Sequence, residues 1–463
     1  MFIGRKEELA FLEEKYNSDI GQLIVLYGRR RVGKTELLKE FCKGKTNVFF
    51  TCTEVPDEKQ INSISSRILA TGVPAARYVN TFSDWEQVFS SIKEIPGDGK
   101  KILIIDEFPY AVKANDSIPS ILQKVWDETL KDSNVMIIIS GSSMSFMEDE
   151  ILAEHKPLYG RATGIIKMLP LNFYEAIQFF PNFSDEDKIA AYSVLGGIPH
   201  YLKQFNDNLT LAENIKKNIL TRGCVLYSEV EFLLKQELRE VNVYNVIIEA
   251  IALGNTKLND IHQKTQIDKN KLSVYIKKLI ELGIVGREFS ADEKEKEHAN
   301  AQRGLYSLTD NFFKFWYAFV FSNVSELESG DTDGIWEYVV KGELNNFTSR
   351  GFEKVCIEYL RKRNKEDTLP FHFTKIGRWW NKNDEIDIMA LSHNRKEILL
   401  GECKYKNLPL DSHDIQRTLR KYSSTSDVKV YHWFFSKSGY NEEAQKIAAS
   451  EKLTLIGMED IFE

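Results

Sequence analysis

Between positions 28 and 35 the chain reads Gly28-Arg29-Arg30-Arg31-Val32-Gly33-Lys34-Thr35. A glycine, four variable residues, a second glycine, a lysine and a hydroxyl residue together demand one local architecture. A buried strand must lead in and a helix must lead out. Successive backbone N–H groups and the positive end of the helix dipole then converge on a single phosphate. The flanks supply both parts: Leu23-Ile24-Val25-Leu26-Tyr27 is an apolar run, and Glu36 to Phe41 opens a helix-like segment. The spacing predicts that Lys34 reaches the β- and γ-phosphates of a nucleoside triphosphate and that the Thr35 hydroxyl binds Mg²⁺. An ordinary glycine-rich turn is the competing explanation, and the complete match in its required setting argues against it.

A second segment fits the first. Lys101-Ile102-Leu103-Ile104-Ile105-Asp106-Glu107 ends an apolar run in two acids, as a buried parallel strand does when its carboxyl end carries the chemistry. Asp106 is expected to hold the Mg²⁺ through its water shell, and Glu107 to activate the attacking water. Binding alone does not require Glu107, so the pair favours hydrolysis. Ser142, in Ser140-Gly141-Ser142-Ser143, is a candidate sensor of the γ-phosphate, with a simple strand-end cap as the alternative. Arg161 is a candidate for stabilising transition-state charge, within its own chain or a neighbouring copy; a plain surface arginine is the alternative.

A length of 463 residues suggests about three domains. With 43% hydrophobic and 28% charged residues the chain can bury ordinary cores. The net charge of −7 leaves nucleic-acid contact to a local patch. Cys42, Cys52, Cys224, Cys356 and Cys403 are scattered without a CxxC, which suits a reduced cytoplasmic protein with neither disulfide framework nor zinc site. The charged start, Phe2-Ile3-Gly4-Arg5-Lys6-Glu7-Glu8, does not read as a secretory signal, and no apolar run approaches the ~18 residues of a membrane span.

The fold class expected is α/β. Residues 1–172 alternate apolar strands with helical patterns, the mark of a parallel sheet. Residues 173–240 turn helical around Leu195-Gly196-Gly197-Ile198-Pro199 and are expected to form a lid-like subdomain, with rigid packing as the alternative. Residues 241–312 read as a winged helix-turn-helix: helices near Val246–Ala252, Lys257–Lys264 and Lys269–Leu282, then two short strands flanking a polar, charge-rich tip. Six lysines against two aspartates between Thr256 and Ile280 give that stretch a positive face for DNA phosphates. Protein contact is the alternative use of such a unit.

Residues 313–463 hold a second constellation. Glu385 to Leu391 and Glu397 to Lys404 flank the polar loop His393-Asn394-Arg395-Lys396. A hairpin closed by that loop sets Asp387 opposite Glu402, and period-two alternation puts Lys404 on the face of Glu402 with Cys403 turned away. Two opposed carboxylates call for a cation between them, so Asp387 and Glu402 are expected to bind Mg²⁺ or Mn²⁺ while Lys404 orients and deprotonates a water. A charged edge hairpin with a salt bridge is the bland alternative. Trp379-Trp380 is expected to pack beneath the hairpin rather than stack on bases.

With Glu353 on an upstream helix, the Asp387, Glu402 and Lys404 pattern resembles the PD-(D/E)XK nuclease superfamily. The resemblance implies catalytic roles for Glu353, Asp387, Glu402 and Lys404, a supporting role for Gln416, and a restriction-endonuclease-like α/β domain. Nearly the whole chain is similar to archaeal-type P-loop ATPases, a branch near the AAA+ and STAND ATPases. The matching residues are Phe2 to Leu9, Gly28 to Thr35, Leu103 to Phe108, Ser140 to Ser143, Gly160-Arg161 with Pro170-Leu171, Gly196 to Pro199, and Leu308 to Tyr317. That resemblance implies ATP as the nucleotide, with Phe2, Gly4 and Arg5 lining the base. Two functions are expected from it: a DNA-binding ATPase whose nucleotide state controls a metal-dependent nuclease, or an ATP-driven switch whose last domain holds DNA or a partner without cleaving. A homo-oligomer is compatible with either.

Overall fold

The structure is a computed structural model and describes residues 2–294, 304–422 and 427–463. The chain divides into two compact units. The first runs to Leu171 and takes back the short segment Ile198–His200; the second holds Asn172–Gly197 and the chain from Tyr201 onward.

The first unit is built on five parallel strands: β1 (Gln22–Tyr27), β2 (Asn47–Thr51), β3 (Lys101–Asp106), β4 (Val135–Gly141) and β5 (Gly164–Lys167). Their order is β2-β3-β4-β1-β5, so the chain starts near one side, works back across the sheet, and crosses over β1 to finish. Every residue of β1, β3 and β4 is buried, which is why these segments read as unbroken apolar runs rather than alternating ones. Each buried Ile, Leu or Val contributes about 1.5–3 kcal/mol. The crossing over β1 leaves a crevice at the carboxyl ends of the strands, the place where open α/β sheets bind ligands.

In the second unit the helices Asp185–Leu195 and Lys341–Lys365 pack closely. Gly351 permits the approach, since a Cβ there would lie 1.9 Å from Ser193 Oγ. Glu358 ties the pair by accepting from the Tyr192 hydroxyl at 2.8 Å and from the Phe173 amide. The aromatic run Phe312 to Tyr317 is core: Trp316 Nε1 donates to the Tyr227 carbonyl at 2.8 Å and the Tyr317 hydroxyl to Asn245 Oδ1 at 2.7 Å.

Helices Val241–Ala252, Leu258–Thr265 and Lys269–Glu281 precede an antiparallel pair, β6 (Val285–Glu288) and β7 (Leu305–Leu308). The polar tip expected between these strands lies, over residues 295–303, outside the described residues. The second sheet has the order β12-β11-β10-β9-β8, with β8 (Phe373–Trp380), β9 (Glu385–Ser392) and β10 (Glu397–Lys404) antiparallel, and β11 (Lys429–Ser436) and β12 (Thr454–Ile456) parallel to β10. Trp379 packs against the hairpin as expected from sequence, in one buried cluster with Ile386, Met389 and Leu391 of β9 and Ile398 and Leu400 of β10. It lies on β8, a third strand of the sheet, where it is buried and donates Nε1 to Asp292 at 2.9 Å. No described helix is long and apolar enough to cross a membrane.

Candidate functional site

The phosphate loop joins β1 to the helix Lys34–Phe41. Its backbone bends through left-handed conformations at Arg31 (φ 73°) and Gly33 (φ 94°). At Gly28 a Cβ would stand 2.4 Å from the Met168 carbonyl at the end of β5, so the close approach itself excludes a side chain. Lys34 is buried, and its ammonium donates back to the carbonyls of Gly28 (2.9 Å) and Arg29 (3.1 Å). Closed in this way, the loop holds its lysine over the cradle that phosphate oxygens would occupy.

The acids expected from sequence arrive where the chemistry needs them. The Thr35 hydroxyl donates to Asp106 Oδ2 at 2.8 Å, so the two groups expected to share a Mg²⁺ are in contact. Asp106 is 2% exposed at the end of β3, and its other oxygen accepts from the Ser140 hydroxyl on β4 and from the Glu107 amide at 3.1 Å. Glu107 itself sits in the left-handed region (φ 55°), an uncommon place for a non-glycine residue, as the chain turns from β3 into the helix Phe108–Ala114. Its carboxylate accepts from Ser142 Oγ at 2.8 Å and from the Ser142 amide at 3.3 Å. Ser142 thus positions Glu107, a role more specific than a strand cap.

The opening box belongs to the same construction. Gly4 and Arg5 both have positive φ before the helix Lys6–Tyr16, and Phe2 is half-buried. Arg5 is buried, pairs with Glu8 at 2.9 Å and donates to the Val32 carbonyl at 2.9 Å, which bolts the start of the chain to the phosphate loop. Arg30 reaches the Tyr110 hydroxyl at 3.4 Å. Arg31 lies 3.0 Å from His200 Nε2, and Pro199 stands beside Gly33. The sequence singled out Pro199 but not His200, because only the return of Ile198–His200 into the first unit brings that imidazole to the loop. Arg161 sits as the surface-arginine alternative describes. Its guanidinium forks onto Asp127 (2.8–3.1 Å) and caps the carbonyls of Pro157 and Tyr159, so its donors serve a surface ion pair rather than the group around Lys34 and Asp106.

In the second unit the hairpin register runs as the loop length requires: Ile398 faces Leu391 and Gly401 faces Ile388, and the next pair in that register is Glu402 with Asp387. Asp387 Oδ2 accepts the Cys403 amide at 2.8 Å. Glu402, 2% exposed, accepts from two ammoniums, Lys404 and Lys421, the latter at 2.8 Å. Burial alone would raise the Glu402 carboxyl, but the two lysines together hold it below its ordinary value. Asp387 is pushed up to about 6, first by burial and then by Glu402. Glu353, on the helix Lys341–Lys365, is pushed up to about 8 by burial and by the Asp387 charge.

Two expectations change here. The cation demanded between opposed carboxylates is supplied in part by Lys421, which no motif marked. It follows the helix Ser412–Leu419, while Gln416 on that helix is exposed. Among the described residues no group of three or more His, Cys, Asp or Glu side chains is arranged to hold a metal ion. For Lys404, expected to orient and deprotonate a water, burial would lower the pKa but Glu402 outweighs burial and raises it, which favours the orienting part. It can orient water or neutralise a phosphate oxygen.

The helices from Leu258 to Glu281 present Lys257, Lys264, Lys269, Lys271 and Lys277 as exposed side chains, while Lys278 pairs with Glu281 at 3.3 Å.

Comparison with known proteins bears on both units. A family described as an ATPase domain predominantly from Archaea matches residues 2–205, and one described as archaeal and bacterial proteins of unknown function matches residues 316–418. An uncharacterized protein of Methanocaldococcus jannaschii is 36% identical over 447 residues, 96% of this chain and 97% of its own length. An uncharacterized ATP-binding protein of the same organism is 62% identical over 45 residues, 10% of this chain and 76% of that protein. Among solved structures, the Walker-type ATPase of Pyrococcus abyssi is similar at a TM-score of 0.50 and 21% identity, covering 68% of this chain and 96% of its own.

Proposed function

The chain belongs to the archaeal-type P-loop ATPase family and is an ATPase; from that premise we propose that its nucleotide state governs a nuclease-like site on the second sheet that acts on DNA. The observation that carries the reading is the co-occurrence of two assembled sites, one around Lys34 and Asp106 and one around Asp387 and Glu402.

In the first site Lys34 exchanges its two loop carbonyls for phosphate oxygens when ATP enters. Thr35 and Asp106, already in hydrogen-bond contact, fit a Mg²⁺ that would neutralise charge between the β- and γ-phosphates. Glu107 takes a proton from the attacking water as the water oxygen bonds to the γ-phosphorus and the bond to the β–γ bridging oxygen breaks, leaving ADP and phosphate. Ser142 holds the Glu107 carboxylate in place until the water arrives.

In the second site the helix Lys341–Lys365 carries Glu353, β9 carries Asp387 and β10 carries Glu402 and Lys404, the residues that the nuclease resemblance implies. The residues fit a divalent cation at Glu353 and Asp387: burial raises both carboxyls and the Asp387 charge raises Glu353 further, a cost that a cation would relieve. When bound, the ion would polarise a phosphodiester oxygen and acidify a water. Glu402 is saturated by its lysines; its part is to fix Lys404 and Lys421 as positive groups toward the phosphate. The lysine-bearing helices of residues 257–281, read as a winged helix-turn-helix, supply a DNA-facing surface.

A second reading, an ATP-driven switch with a non-cleaving last domain, is favoured by one observation: Asp387, Glu402, Lys404 and Lys421 balance their charges without a metal. Incubation of supercoiled DNA with Mg²⁺ or Mn²⁺ separates the two. Nicking by the wild type that Asp387→Ala abolishes supports the nuclease; equal absence of nicking in both supports the switch.

A further inference from the structure

Three cations meet in the second unit; of the acids near them Glu288 and Asp310 are engaged with other groups, and burial pushes the Glu353 carboxyl up to about 8. Lys314 projects from the helix Asn311–Phe315, and Arg350 and Lys354 lie one turn apart on Lys341–Lys365. Both helices lean on the same end of Asp185–Leu195. Asn311 Nδ2 donates to the Tyr192 carbonyl at 3.0 Å, the Lys354 ammonium stands 5.5 Å from the centre of the Tyr192 ring, and Gly351 crosses Ser193. That packing forces Lys314 into the field of Lys354 and Arg350. Burial first, and then those two charges, lower its pKa to about 8.

The nearby acids do not neutralise the group. Glu288 pairs with Arg378 at 3.3 Å. Asp310 spends its carboxylate on the amides of Phe312 (2.8 Å) and Phe313 (3.2 Å). Among the described residues, no salt-bridge partner is recorded for Lys314, Arg350 or Lys354. Glu288 and Asp310 offset only part of the repulsion, and gathered like charges are the arrangement that an anionic ligand relieves. Arg350, Glu353 and Lys354 stand at i, i+3 and i+4, one face of one helix, so the cations border the acid site.

We propose that Lys314, Arg350 and Lys354 form a binding site for backbone phosphates of a nucleic acid, placed to hold the strand beside Glu353 and Asp387. The site rests on the nucleic-acid reading above and adds a contact region separate from the lysines of residues 257–281. Its contribution is independent of base sequence, because it engages only phosphate.

The test is fluorescence anisotropy of a labelled DNA duplex with the full chain carrying Asp387→Ala, titrated across a range of NaCl. Adding Arg350→Ala with Lys354→Ala should weaken binding and flatten the plot of log K against log salt by about 1 to 2, since each phosphate contact contributes about 0.9. Lys314→Met should weaken binding in the same sense while its melting temperature equals or exceeds that of the parent, which separates lost contact from lost folding. An unchanged slope and affinity in both variants, or no duplex binding by the parent, would overturn the site. The outcome is distinguishable from that of the nuclease reading: a flattened slope in a chain that never nicks DNA keeps the phosphate site and removes the cleavage.

Discussion

Replacing Lys314 by methionine should stabilise the protein, and the gain should depend on pH. The lysine pKa falls from 10.5 in the unfolded chain to about 8 in the folded one, a difference of 2.5 units. At about 1.36 kcal/mol per unit this is roughly 3 kcal/mol against folding as an upper bound. The side chain is half-buried, so solvent screens part of the penalty, and roughly 1–2 kcal/mol is the expected size. For a base whose folded pKa is depressed, the unfolded chain holds the extra proton between the two values. The penalty is therefore complete below pH 8, shrinks as pH rises from 8 to 10.5, and vanishes above. Methionine has nearly the same length, so packing changes little. Thermal unfolding at pH 7 should show a rise of about 3–6 °C for a unit of this size. Near pH 10 the gain should have largely gone. Destabilisation at pH 7, or an equal gain at both pH values, would refute the electrostatic argument and leave Lys314 as an ordinary packing residue.

Other consequences follow from the two sites. Glu107→Gln should retain ATP binding and lower the hydrolysis rate by about 10²–10⁴, as loss of a positioned base does; phosphate release and a binding titration check the two halves. Ser142→Ala should lower the rate in the same direction but less, because it frees Glu107 without removing it. Gly28→Ala should abolish nucleotide binding and reduce the melting temperature, since its Cβ would collide with the Met168 carbonyl. Lys421→Ala leaves Glu402 with one ammonium and should cost about 2–3 kcal/mol in denaturant unfolding, below the roughly 3–5 kcal/mol of a fully broken buried pair because Lys404 remains. That stability depends on a carboxyl held below its unfolded pKa, so the loss is full at neutral pH and fades under acid; Glu402→Gln in the same chain should recover much of it.

The sequence carries the first sheet almost completely, because its three central strands, β1, β3 and β4, are buried on both faces and must be apolar throughout. The phosphate loop, Asp106 and Glu107 were legible for the same reason: their spacing is fixed by the backbone geometry that a phosphate needs. The β9–β10 register was legible too, since a four-residue loop and period-two alternation leave little freedom. Lys421 and His200 were not. Each reaches its site through tertiary packing, from a helix end in one case and from a returning segment in the other, and neither lies at a spacing that local structure dictates. Arg161 stayed open because an arginine after a glycine reads alike whether its partner is a phosphate or Asp127. Lys314 entered only within Leu308 to Tyr317, a stretch that carries the family resemblance; the charges that make it unusual come from a helix whose sequence lies 36 residues downstream at Arg350.

The most direct test of the account is the nucleotide dependence of DNA cleavage by the full chain. Supercoiled DNA and Mg²⁺ are held fixed while ATP, ADP or a non-hydrolysable ATP analogue is added to wild type and to Lys34→Ala. The account predicts nicking that differs among the three nucleotides in the wild type and is indifferent to all of them in Lys34→Ala. Nicking at one rate with every nucleotide, identical in both proteins, would contradict it by showing two sites that share a chain without sharing control.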